Sequence, residues 1–363
     1  MKKKSLTFKI TITIAFIFLA LLVAGTVFVF SKLGKLNYHD GTVTEEVAEE
    51  VVEEDVAQEV APEEESTEEA AEEVVLISDE EAEELGEAEV ILSDAELIFD
   101  KDVFNILLLG TDERTSKFST NARADSIMLL SLNKKDNTMK LVSLQRGMGV
   151  PVLEGQYKDQ YDWITHIFRY GGADLMLKTV REMFNVDVDY YVRVNFNTFE
   201  QLVDSVGGVD ITLDAEEAAH LNATRKTPGR LYSEVVAGAN HLDGANSLRY
   251  SRLRKIDSDW QRVQRQRNVI QAVVSSTGDM NLLELSNMLD EVLPLIQTNL
   301  TTTDILGLVS YAPAVLGKDI EQMTIPVKGT YGSMRGMGNR NLYAVNFQRN
   351  SEILQEFLYG AEE

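Results

Sequence analysis

"FNILLLGTDERTSKFSTNARADSIMLLSLNKKDNTMKLVSLQR", residues 104–146, contains three apolar runs that decide the fold class. "FNILLLG", "SIMLLSLN" and "MKLVSLQR" are short, rich in aliphatic residues and separated by charged or turn-forming stretches, the pattern of buried strands. "DYYVRVN" (189–195) and "VDITL" (209–213) read as two more strands, and "QMTIPV" (322–327) and "NLYAVNF" (341–347) as two late ones. Helical spacing of apolar residues covers 174–184, 199–206, 259–276, 282–296, 305–316 and 351–359. No internal repeat is visible. The expected fold is α/β, a mixed central sheet flanked by helices in three layers, forming one domain over residues 101–363.

Outward from that domain the composition changes twice. The formal net charge of the chain is -25, but residues 36–100 hold 26 acidic residues and no Lys or Arg, whereas 101–363 hold 33 acidic and 28 basic ones. The charge belongs to the upstream segment. Residues 31–100 have the composition of an acidic, solvated, disordered linker, with helical tendency only within 79–90. No EF-hand spacing occurs there. Before it, "ITITIAFIFLALLVAGTVFVF" (10–30) is an uncharged run long enough to span the roughly 30 Å core of a bilayer. It exceeds the apolar stretch of a signal peptide, and no A-x-A site follows, which favours an uncleaved anchor. Lys2, Lys3, Lys4 and Lys9 precede it, so residues 1–9 are expected in the cytoplasm and everything after the anchor outside; Lys32 and Lys35 weaken this bias without reversing it. The chain has no cysteine, and its four histidines show no paired spacing, which excludes thiolate sites and argues against a His-based zinc site.

The candidate chemistry sits at strand ends. Asp112 closes the first strand, and "NARADS" puts Arg123 and Asp125 at the entrance of the second, so two neighbouring strands could present Asp112 and Asp125 together. Paired carboxylates suit Mg²⁺, with Mn²⁺ as the alternative, although two unrelated turn acids would look the same. Arg146 follows the third strand. "RLRKIDSDWQRVQRQR" (252–267) then gathers six basic residues, five of them Arg. An extended backbone at Arg252 and Arg254 would aim both to one side. In the helix that follows, Asp259, Arg262 and Gln266 share a face flanked by Arg265, and Val263 and Ile270 turn that face inward. Arginine forks bind phosphate oxygens bidentately, and buried arginines need an anion, which a Mg²⁺-held pyrophosphate would supply. A basic helix touching nucleic acid is the other reading; an extracellular, net-acidic domain argues against it.

The segments "NILLLGTDERT", "ARADSIMLLSLN", "LVSLQR", "THIFRYGGADLMLKTVREMF", "FNTFEQLVDSVGGVDITL" and "HLDGANSLRYSRLRKIDSDWQRVQRQRNVI" resemble, in this order, the LytR-CpsA-Psr family, over about residues 104–270. The resemblance implies a membrane-anchored extracytoplasmic enzyme of Gram-positive envelopes that moves a glycopolymer phosphate from a polyprenyl-pyrophosphate carrier to peptidoglycan. It implies Mg²⁺ on Asp112 and Asp125, and a pyrophosphate site lined by Arg123, Arg146, Arg252, Arg254, Arg262, Arg265 and Gln266. It also implies an apolar tunnel for the polyprenyl tail between sheet and helices. Asp112, Asp125 and Arg146 are the expected catalytic residues, with Asp112 as candidate acceptor of the hydroxyl proton. One position departs from the family pattern: Gly147 stands where an Asp commonly follows the third-strand Arg, so that acid is absent or moved, with Glu154 and Asp159 as candidates.

Residues 277–363 carry no matched motif, and "KGTYGSMRGMGNRN" (328–341) reads as an irregular Gly-rich surface loop bearing Arg335 and Arg340, with contact to the acceptor glycan as the alternative. Two rival functions use the same residues. A hydrolase would pass the phosphate to water, and a non-catalytic scaffold would only hold the lipid carrier. A transcription-factor role conflicts with the anchor.

Overall fold

The three apolar runs become adjacent central strands in a computed structural model that describes residues 37–38, 76–113, 118–119, 121–227, 229–254, 256–278, 280, 282–315 and 318–360. In chain order the first elements are β1 (Asn37–Tyr38), α1 (Asp79–Leu85), β2 (Val103–Thr111), β3 (Ala124–Asn133) and β4 (Thr138–Leu144). A hairpin, β5 (Gly149–Pro151) with β6 (Tyr161–Trp163), leads into α2 (Ile164–Phe184), β7 (Tyr190–Val194), α3 (Phe196–Ser205) and β8 (Val209–Leu213). Then come α4 (Ala215–Ala223), the short β9 (Lys226–Thr227) and β10 (Arg230–Leu231), β11 (Gly238–Leu242), α5 (Gly244–Ser251) and α6 (Asp259–Gly278). The chain closes with α7 (Leu282–Val292), β12 (Gln297–Thr298), α8 (Thr302–Val315), β13 (Glu321–Ile325), the hairpin β14 (Tyr331–Arg335) and β15 (Asn341–Val345), and α9 (Phe347–Tyr359).

The main sheet has the order β1-β12-β7-β2-β3-β4-β13. β2, β3 and β4 are successively antiparallel, whereas β7 runs parallel to β2 and β13 parallel to β4. The end of β2, the start of β3 and the end of β4 therefore lie at one edge of the sheet. Alternation along the strands builds two cores. Leu107, Leu109, Ile127, Leu129, Val142 and Leu144 are buried against α2 and α9. Met128, Leu132, Met139 and Leu141 face the other way, where Leu108 and Leu130 meet Ile270 and Val274 of α6 and Leu308 and Tyr311 of α8. A third cluster packs Val209, Ile211 and Leu213 of β8 against α3 to α6.

The structure corrects three expectations. The linker is not a spacer as far as residue 100. Ile77 is 1% exposed in the main core. Ala88 N–H donates to Ser333 O at 2.9 Å, Ile91 N–H to Val345 O at 3.1 Å, and Phe347 N–H to Ile91 O at 2.7 Å. Residues 76–100 therefore pack as part of the folded domain. Residues 328–341 are not an irregular loop but most of the β14–β15 hairpin, and Arg335 meets Asp79 at 3.0 Å. The helix expected over 174–184 is present; a break at Gly171 and Gly172, whose backbone leaves helical geometry, separates it from a further helical stretch that starts at Ile164. Finally, Arg252 is not in an extended stretch: it caps α5 with φ -105 and ψ 0, so a helix end sets its relation to Arg254. No helix among the described residues is long and apolar enough to cross a membrane. The apolar run 10–30 and residues 39–75 lie outside them.

Candidate functional site

At the sheet edge Asp112 directly follows β2 and Asp125 is the second residue of β3. Thr111 pairs with Ala124 across a bulge, which brings the two acids to neighbouring positions. Close approach of the strands is possible because residue 110 is glycine; a Cβ there would lie 2.9 Å from Ser126 Cβ. Arg123 bridges back, donating to Asp112 from its backbone N–H and its Nε, both at 3.1 Å. Arg146, two residues past β4, is 2% exposed and donates to Asp125 at 2.6 Å and to Asp259 at 2.8 Å.

The helix α6 supplies the rest. Arg262, also 2% exposed, places its Nε 3.0 Å from Asp259 and donates weakly to the main-chain oxygen of Asp125 at 3.3 Å. Gln266 accepts from Ser126 Oγ at 3.1 Å and so fixes α6 over the entrance of β3. Arg254 Nη2 stands 3.5 Å from Asp125. Arg252 lies over the Phe196 ring, 4.3 Å from its centroid, close enough for its charge to act on Arg254.

Three guanidiniums, those of Arg146, Arg254 and Arg262, thus share the two carboxylates of Asp125 and Asp259. Burial alone would raise the Asp125 pKa, but Arg146, then Arg262, Arg254 and Arg123, outweigh it and hold the carboxyl far below the usual range. Asp259 is lowered against the same opposing burial, chiefly by Arg146 and Arg262. Arg262 and Arg254 move the other way. Burial first, then the like charge of Arg146, pushes both below the ordinary guanidinium value. Three guanidiniums against two carboxylates leave the cluster short of negative charge, which is the electrostatic condition for binding an anion.

Not every arginine of 252–267 belongs to it. Arg265 is clasped by Asp257 and by Glu217 of α4, at 2.7 Å for the latter, and donates to Leu253 O at 3.2 Å; neither Asp125 nor Asp259 is among its partners. Its charge is matched within the protein, and it ties α4 to α6. Arg267 is spent on Ser143, Thr324, Gln322 and Met323 O, fastening α6 to β4 and β13. Lys255 lies outside the described residues. The two proposed substitutes for the acid missing at Gly147 are also elsewhere: Glu154 pairs with Lys178 on the surface, and Asp159 is an exposed residue at positive φ. Position 147 is instead packed. A Cβ on it would meet Tyr343 at 3.2 Å and Ile77 at 3.3 Å.

Two features escaped sequence reading. Arg193 is buried between the Phe118 and Phe168 rings and binds Glu113, Gln297 and the Ser119 carbonyl, anchoring both sides of the loop that follows Asp112. Asp162, fully buried, accepts from Tyr170 at 2.6 Å and lies 2.9 Å from His166 Nδ1. This network adjoins the site, because Thr165 on the same turn donates to Ala124 O at 2.8 Å. The four-residue spacing of 162, 166 and 170, running from β6 into α2, was available as a signal.

Among the described residues no group of three or more acids or histidines could cage a metal. Asp112 and Asp125 are two carboxylates engaged by arginines, so a cation here must draw its remaining ligands from phosphate and water. Mg²⁺ coordinates in that way, and on this ground the residues fit it.

An α/β domain with an under-neutralised arginine cluster at one end of its sheet has the chemistry that suits a phosphate-bearing ligand. The chain belongs to the LytR_cpsA_psr family, whose model matches residues 63–357. It is 34% identical over 227 residues, 62% of this chain and 68% of the relative, to the polyisoprenyl-teichoic acid–peptidoglycan teichoic acid transferase TagT of Bacillus subtilis (strain 168). To the TagU transferase of Bacillus mycoides (strain KBAB4) it is 36% identical over 200 residues, 54% of this chain and 60% of the relative. The solved structure of TagT bound to LIIa-WTA superposes with a TM-score of 0.56 at 29% identity, covering 74% of this chain and 99% of the other.

Proposed function

We propose that this protein transfers a glycopolymer phosphate from a polyprenyl-pyrophosphate carrier to peptidoglycan. The observation that carries the reading is the shared clasp of Arg146, Arg254 and Arg262 on Asp125 and Asp259, one positive charge in excess. The names of the TagT and TagU relatives support the reaction class.

In this reading the arginines bind the pyrophosphate oxygens and stabilise the charge that builds on the leaving phosphate as the acceptor hydroxyl attacks. They are fixed beforehand by the two acids and by α6, so little reorganisation accompanies the reaction. Asp125 is too strongly held in its ionised form to accept a proton well. Asp112, half-buried and positioned by Arg123, is the better candidate for taking the hydroxyl proton. Mg²⁺, or Mn²⁺ in its place, would be held by Asp112 and Asp125 and would neutralise phosphate charge. The polyprenyl tail would lie between the sheet and α6 and α8, where Phe104, Leu108, Leu130, Ile270 and Leu308 remain only partly buried. We place residues 10–30 in the lipid bilayer, the amino terminus in the cytoplasm and the domain outside, with no nucleic-acid partner.

The test is reconstitution of the full chain in vesicles with a labelled carrier-linked glycopolymer, peptidoglycan and Mg²⁺. Label should become covalently attached to the wall polymer, and Arg146→Met should abolish this. Glycopolymer phosphate released to water without attachment would make the protein a hydrolase; retained carrier without turnover would make it a scaffold.

A further inference from the structure

The C-terminal hairpin brings an aromatic group to the rim of the arginine cluster. Trp260 directly follows Asp259, the carboxylate shared by Arg146 and Arg262. Its ring stacks on Tyr331 of β14, with centroids 5.9 Å apart and planes at 24°, and is tilted 54° to Tyr343 of β15 at 6.5 Å. Tyr331 and Tyr343 meet edge to face at 5.1 Å. The three rings differ in burial. Tyr343 is enclosed at 2% exposure and donates to Glu81 of α1 at 2.8 Å, whereas Trp260 and Tyr331 are only half-buried.

We infer that Trp260 and Tyr331 form a saccharide subsite that receives the sugar ring adjoining the transferred phosphate. The inference rests on the phosphotransfer reading above and adds to it the part of the substrate beyond the phosphorus. A pyranose ring presents an apolar C–H face and a rim of hydroxyls. It calls for a flat aromatic surface with polar groups beside it. Here the half-buried rings provide the surface, and the partly exposed Glu81 carboxylate with the Tyr331 hydroxyl provides the polar rim. Two links set the location: Trp260 is next in the chain to Asp259, and Tyr343, which its ring meets, donates its N–H at 2.9 Å to the carbonyl of Gly147, the neighbour of Arg146, so the rings lie beside the anion cluster. The hairpin and α1 would then have a purpose beyond closing the core, because both hold the platform against α6.

Two sugars flank the phosphate, one on the donor and one on the acceptor, and the experiment separates them. Full-length wild type, Trp260→Ala, Trp260→Phe and Tyr331→Ala are compared in vesicles, with melting temperature as a control on folding. The probes are polyprenyl pyrophosphate without sugar, the same lipid carrying the glycopolymer, and soluble peptidoglycan fragments as acceptor. Binding of the sugar-free lipid should be unchanged in every variant, which keeps the pyrophosphate reading separate. A donor subsite predicts about tenfold weaker binding of the sugar-bearing lipid in Trp260→Ala, largely recovered in Trp260→Phe. An acceptor subsite predicts an acceptor KM raised by a similar factor of about ten with donor binding unchanged. If folded Trp260→Ala and Tyr331→Ala keep both donor affinity and acceptor KM, the subsite does not exist. If wild type fails to bind the sugar-free lipid, the pyrophosphate reading falls and the subsite with it.

Discussion

Replacing Asp259 by asparagine removes one of the two carboxylates on which Arg146, Arg254 and Arg262 converge. Its oxygen lies 2.8 Å from Arg146 Nη2 and 3.0 Å from Arg262 Nε, and both arginine side chains are 2% exposed. Breaking a buried ion pair by deleting one partner costs about 3–5 kcal/mol, because the remaining charge stays buried and unmatched. The amide retains an oxygen that can accept from one guanidinium, and Asp259 itself is 16% exposed, which points to the lower end of that range. A loss near ~3 kcal/mol corresponds to a fall of roughly 6–12 °C in Tm for a domain of this size. Inorganic pyrophosphate should then stabilise Asp259→Asn more than it stabilises wild type, since it supplies the missing negative charge. Ligand at about one hundred times its Kd returns ~2.7 kcal/mol. Thermal melts of both proteins with and without pyrophosphate measure this. A variant that melts within a degree of wild type, or one that pyrophosphate leaves unchanged, would refute the view of the cluster as a site short of negative charge.

Further outcomes follow from the same geometry. Deleting residues 1–100 should give a less stable domain than deleting 1–75, because Ile77 leaves the core and large-to-small changes at such sites cost about 2–5 kcal/mol; paired melts decide it. Restoring the family acid with Gly147→Asp should destabilise by about 1–3 kcal/mol rather than raise turnover, since Tyr343 and Ile77 already stand 3.2 and 3.3 Å from the new Cβ. Asp162→Asn should cost about 2–3 kcal/mol by leaving buried His166 and Tyr170 without their charged acceptor, read by urea denaturation. Asp125 and Asp259 titrate below the ordinary 3.8 in the folded protein, so their stabilisation is complete above that value and is lost as pH falls from it toward the folded pKa values. Acid unfolding should therefore steepen below about pH 4, and Asp259→Asn should flatten that limb.

The convergence of Asp112, Asp125 and Arg146 was legible in the sequence because each sits at the end of a strand, and alternating strand direction brings those ends together. The inward face of Asp259 and Arg262 was legible from helical spacing. That Arg265 turns elsewhere was not, because Glu217, its partner from α4, lies 48 residues upstream and no local pattern links them. Residues 76–100 were hidden for another reason. Their acidity continues that of the linker, whereas what holds them is Ile77 and a series of main-chain hydrogen bonds to β14, β15 and α9, to which composition is blind. Gly-rich "KGTYGSMRGMGNRN" concealed a hairpin by the same logic, as strand pairing there uses backbone rather than apolar alternation. The helix α5 was missed because "GANSLRYS" has few apolar residues; Asp243 caps it by accepting from Asn246 N–H at 2.8 Å.

The central claim is that the buried arginines serve an anionic lipid and not the fold. Calorimetric titration of a short-chain polyprenyl pyrophosphate into full-length wild type and Arg262→Met tests it most directly. Loss of one charge-assisted donor should weaken binding by about 1.5–3 kcal/mol, roughly 10- to 150-fold, while Tm changes little because the like charge of Arg146 is relieved. Unchanged affinity together with a large fall in Tm would show that Arg262 is structural and would contradict the account.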